Sequence, residues 1–111
     1  MTTVIPRMFV DDVEAEVRFL RAVFDATGTV KPGRPAEIHI GDAVLLISAT
    51  TERPHFPAFL YVYVPDADAA FERALASGAT TLEEPLDTPY GQRRAMVRDP
   101  EGNIFQIAHT R

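Results

Sequence analysis

The 111-residue chain contains no cysteine, which removes disulfides, thiolate metal sites and cysteine nucleophiles from consideration. It has no apolar run long enough to span a bilayer, and its N-terminus lacks the basic-then-apolar order of a signal peptide. No membrane association and a cytoplasmic location are therefore expected. Positive charge is in deficit. Eleven Lys and Arg stand against 16 Asp and Glu, a net charge of −5. That weighs against a nucleic-acid partner, because phosphate binding needs a basic surface that releases counterions. A glycine-rich phosphate loop is lacking, and neither Ser48 nor Ser77 has the flanking glycines of a nucleophile elbow. The rest of the balance, 46% hydrophobic and 24% charged residues, is that of an ordinary globular protein, and the length predicts one domain over residues 1–111.

Read along the chain, TTVIPRMFV is a strand with Pro6 at its entry. Asp11 and Asp12 offer caps for a helix over VEAEVRFLRAVFDATG, in which Val13, Val17, Leu20 and Phe24 recur at helical spacing and Gly28 supplies the stop. KPGRP is a loop, and AEIHIGDAVLLIS is a hairpin turning at Gly41-Asp42. TTERPHFP reads as a linker over about residues 51–57. The same order then returns. PAFLYVYV is a strand, Asp66 or Asp68 caps DAAFERALASG, TTLEEP is a short strand, and RRAMVRDPEGNIFQIA closes the chain as a hairpin. FVDD at Phe9–Asp12 matches YVPD at Tyr63–Asp66, and GDAVLLI matches GNIFQI. The expected fold is α+β: two βαβββ modules, about residues 1–50 and 58–111, sharing one mixed sheet with the helices on one face and a cavity under the other.

These motifs, the terminal DPEGN above all, resemble the vicinal oxygen chelate superfamily, the group of glyoxalase I, bleomycin-resistance proteins and extradiol dioxygenases. The resemblance spans essentially the whole chain and is greatest to its small bacterial branch. It implies an open barrel whose trough holds a metal or ligand, and a homodimer in which both modules wall each site.

The resemblance also implies four positions from which metal-dependent relatives present His, Glu or Gln. In this chain they fall at Ile5, Leu46, Phe59 and Gln106. One amide oxygen cannot hold a divalent ion that wants several converging donors, so no metal and no other cofactor is expected. Glu37 and His39, two apart on one strand, share a face; with no third donor they read as a partly exposed polar strand face, and the alternative is displaced ligands of a metal-dependent lyase, isomerase or dioxygenase. His55, between two prolines, and His109, near the C-terminus, read as surface residues. Phe59, Tyr61 and Tyr63 share a strand face suited either to stacking a flat organic ligand or to a core or dimer contact. Tyr90 is placed to act as a lid. Of Arg93 and Arg94 only one can point inward, to pair with a carboxylate or phosphate; Arg93 is the candidate, with a solvated charge as the other reading. The expected function is a small-molecule-binding protein, antibiotic sequestration included, whose ligand meets Leu46, Phe59, Tyr61, Tyr63, Tyr90, Arg93 and Gln106 in a trough at a dimer interface.

Overall fold

Asp12 both ends the first strand and starts the first helix. Its extended backbone (φ −126°, ψ 96°) lets the side chain accept the Ala15 N–H at 3.0 Å. A computed structural model describes residues 1–51 and 53–111, so Glu52 of the expected linker lies outside the described residues. The elements are β1 (Arg7–Val10), α1 (Val13–Phe24), β2 (Ala36–Ile40), β3 (Ala43–Ala49), β4 (Phe59–Tyr63), α2 (Ala67–Ala76), β5 (Thr80–Asp87), β6 (Gln92–Arg98) and β7 (Ile104–Thr110). None of the helices is long and apolar enough to cross a membrane, among the described residues.

The repeat is present in three dimensions. β1 pairs parallel with β3 as β4 pairs parallel with β7, and a hairpin partner follows in each module. In the first module the first of the three strands after the helix shrinks to a single antiparallel bridge, Thr27 to His39. The expected single mixed sheet is corrected to two sheets, β1-β3-β2 and β4-β7-β6-β5. The modules meet through their helices and through one shared core instead. Phe105 of β7 lies against Phe19 and Phe24 of α1, and Arg73 of α2 donates to the Val23 carbonyl at 2.9 and 3.2 Å.

Other boundaries shift for local reasons. α1 stops at Phe24, four residues before Gly28, because Asp25 takes the left-handed conformation (φ 57°), which a short polar side chain tolerates. Gly28 instead serves the packing of β2. At φ 112° it presses so closely on that strand that a Cβ would stand 2.4 Å from the Glu37 carbonyl oxygen. α2 takes Asp66, not Asp68, as its cap. β5 runs beyond the expected TTLEEP and carries Pro85 because it is an edge strand with an irregular register.

The DPEGN turn fastens the modules together. The Asp99 carboxylate accepts the backbone N–H groups of Glu101 and Asn103 at 2.9 and 2.8 Å. Asn103, fully buried, accepts the Ala58 N–H at 2.8 Å and donates to Glu16 of α1 and to Asp99, both at 3.2 Å. The Glu101 carboxylate accepts the N–H of Asp11 and of Asp12, at the start of α1. One turn thus positions two strands and a helix.

Candidate functional site

Period-two alternation gives each sheet a helix-facing and an open face. Met8, Val10, Ile38, Leu45 and Ile47 are buried in the first module, as are Ala95, Val97, Phe105 and Ile107 in the second. The residues between them form two cross-strand rows on the open faces. Arg7 is level with Leu46, and Leu46 with Glu37. Tyr61 is level with Gln106, Gln106 with Met96, and Met96 with Glu83. Because Phe9 corresponds to Tyr63 in the repeat, Arg7 corresponds to Tyr61. The registers then make Leu46 the counterpart of Gln106, each central in its row.

Phe59, Tyr61 and Tyr63 project from β4 on this open face and remain 58%, 45% and 62% exposed. Core packing does not account for them. The rings of Tyr61 and Tyr63 lie 5.2 Å apart with planes inclined by 34°. Partial burial, then the neighbouring Tyr63 phenol, raises the Tyr61 hydroxyl above its ordinary value, so it stays protonated and able to donate.

The two arginines divide their faces, with the opposite outcome to the one expected. Arg93 turns toward α2, where its guanidinium donates to both Asp68 oxygens at 3.1 and 2.9 Å and to Asp87 at 3.2 Å. Hydrogen bonding to Arg93 holds Asp68 below its ordinary value. Arg94, level with Ala108 and hence with Tyr63, takes the open face. It grips Glu83 with two hydrogen bonds, 2.8 and 3.1 Å, and donates to the Tyr90 hydroxyl at 2.9 Å. Tyr90, 64% exposed, is therefore tethered beside the aromatic strand.

Leu46 lies on the other module's open face. With Glu37, His39, Lys31 and Arg34 it lines a half-open cavity of about 420 Å³. Ile5 precedes β1 and is 44% exposed, while the adjacent Pro6 carbonyl accepts the Leu46 N–H at 3.0 Å. The four positions implied by the family resemblance thus carry three hydrocarbon side chains and one amide. Among the described residues no three His, Cys, Asp or Glu side chains gather as an ion would require. Of the four positions, the Gln106 amide alone offers a donor to a divalent ion.

Two histidines have structural partners. His55 Nε2 lies 2.6 Å from the Glu101 carbonyl, and His109 Nδ1 accepts the Ala67 N–H at the start of α2 at 2.7 Å. The sequence reading also passed over Glu16, which is buried at 1% exposure against Asn103 and Asp99. The signal was present: Glu16 falls three residues after Val13 and four before Leu20, inside the apolar stripe of α1.

A family model described as "Glyoxalase/Bleomycin resistance protein/Dioxygenase superfamily" matches residues 3–107. CFP32 of Mycobacterium bovis is 38% identical over 69 residues, covering 60% of this chain and 26% of that protein. The anthracycline biosynthesis protein DnrV of Streptomyces peucetius is 38% identical over 80 residues, 66% of this chain and 27% of its own length. The chain thus spans about a quarter of these two curated relatives. Among solved structures, TioX from Micromonospora sp. ML1 superposes with a TM-score of 0.83 at 24% identity, covering all of both chains. At that identity the likeness carries the fold alone.

Proposed function

The chain belongs to the glyoxalase/bleomycin resistance protein/dioxygenase superfamily, and on that premise we propose that it binds a small, partly aromatic molecule on its open sheet faces without a resident divalent ion. The observation that carries this reading is the solvent-facing row of Phe59, Tyr61 and Tyr63, three large rings on one strand beside the central Gln106. Exposed rings on a sheet face gain by stacking on a flat ligand, and the Tyr61 hydroxyl, the Gln106 amide and the Arg94-tethered Tyr90 supply orientation. A second copy would set its Leu46 face over this strand and complete the trough as a homodimer. The name of DnrV, anthracycline biosynthesis, belongs to a pathway of planar polycyclic molecules and agrees with such a ligand. Sequestration of an antibiotic is one use, since binding alone would suffice.

A planar anthraquinone is expected to raise the thermal midpoint, and Tyr61→Ala to weaken its binding about tenfold, the worth of one good stacking contact. No stabilisation by flat aromatic probes, with Tyr61→Ala indistinguishable from the natural chain, would remove the reading.

The competing reading, an enzyme with ligands displaced to Glu37 and His39, has those two side chains over one cavity but Lys31 and Arg34 beside them, cations where a third donor is needed. Protein purified without chelator is expected to carry far less than one divalent ion per two chains. A stoichiometric ion, lost on Glu37→Gln or His39→Ala, would establish the metal site instead.

A further inference from the structure

The cavity over Leu46 runs against the net charge of the molecule. The chain carries a net charge of −5, yet here Lys31 and Arg34 face a single carboxylate, Glu37, with His39 beside it. Arg7 extends the same cross-strand row on the far side of Leu46; it donates to the Ser48 hydroxyl at 2.8 Å and stacks on Phe9 at 4.8 Å. Among the described residues the ion pairs are those of Arg93, Arg94 and Arg111, so none of these three cations has a described carboxylate within 4 Å. The loop that presents Lys31 and Arg34 is anchored at its start. Thr27 and His39 exchange two backbone hydrogen bonds of 2.9 Å, Gly28 packs against the Glu37 carbonyl, and the Arg21 guanidinium donates to the Gly28 carbonyl.

We propose that this cavity is an oxyanion pocket, in which Lys31 and Arg34 hold the carboxylate or phosphate group of a ligand whose apolar part lies on Leu46. Unpaired cations beside an apolar floor gain most from an oxyanion, because a guanidinium offers paired donors and the ammonium a mobile point charge. About 420 Å³ is room for a molecule of one or two rings. The inference rests on the trough reading only for the ligand's aromatic part; the anionic contact stands within one module of one chain.

The test is amide chemical-shift titration of the full chain with 2-naphthoate, 2-naphthamide and inorganic phosphate. Naphthoate is expected to shift residues of the 28–39 segment and Leu46 and to bind at least tenfold tighter than the amide. Lys31→Ala and Arg34→Ala, both at exposed loop positions, should remove that difference while leaving the spectrum otherwise folded. Equal binding of naphthoate and naphthamide, unchanged in the variants, would overturn the oxyanion pocket and leave the aromatic reading standing. Phosphate shifts at Lys31, Arg34 and His39 with no response to naphthamide would support the pocket and count against the aromatic reading. Failure of both naphthoate and phosphate to shift this segment would overturn the pocket.

Discussion

Glu16→Gln is expected to gain stability relative to the natural chain as pH rises, and to be the more stable of the two at pH 8. Glu16 is buried, and its Oε2 finds no N–H or O–H donor, whereas Oε1 accepts from Asn103. Burial first, then hydrogen bonding to Asp99 and the charge on Asp99, pushes the Glu16 carboxyl up to about 9. The Asp99 carboxylate beside it accepts three N–H hydrogen bonds. Glu16 therefore holds its proton at neutral pH. In the unfolded chain Glu16 titrates near 4.5, so between that pH and 9 the folded state holds the extra proton. Its contribution is complete below pH 4.5 and is lost as pH climbs toward 9. By pH 7 the loss is on the order of 3 kcal/mol, a large part of the roughly 5–15 kcal/mol that holds a domain folded. The amide of the variant mimics the protonated acid: its oxygen can accept from Asn103, and it has no proton to lose as pH rises. Urea unfolding at pH 5 and pH 8 checks this, the difference between the two proteins isolating Glu16 from other titrating groups. Parallel pH profiles would show that Glu16 is not the proton holder.

Phe105→Ala is expected to cost about 3–5 kcal/mol, the usual range for deleting a buried aromatic ring. Phe105 is fully buried, its ring centre 5.8 Å from that of Phe19 and 5.3 Å from that of Phe24. It belongs to the second module and those partners to the first, so the cavity would open at the seam between modules that share no sheet. The thermal midpoint should fall by more than about 10 °C, with Phe105→Leu intermediate. A loss below about 1 kcal/mol would mean that the seam relaxes around the gap, or that the helices alone hold the modules together.

Much of the fold was written in the sequence because it depends on neighbours along the chain. Asp12 and Asp66 cap their helices from within one turn, and the Asp99–Asn103 turn is built from its own side chains. The strand face of Phe59, Tyr61 and Tyr63 follows from alternation alone. The site was legible only in part. Alternation said that Arg93 and Arg94 part company but not which faces the rings, since that depends on Asp68 of α2 and Glu83 of β5. Lys31 and Arg34 in a proline-bearing loop carried no periodic signal. Long-range contacts, the Thr27–His39 bridge among them, bring their loop over Leu46.

The sequence by itself determined the tandem modules, their helix caps, the terminal turn and the side chains at the family's four ligand positions. The tertiary structure alone decided that the modules form two sheets joined through α1, α2 and Phe105. It also decided that Gln106 lies level with Tyr61 and Leu46 with Arg7, and that Glu16 is buried against Asn103. The division has one physical cause. Caps, turns and alternation are local geometry, whereas register, desolvation and charge pairing depend on segments distant in the chain, such as Glu16 and Asn103, 87 residues apart.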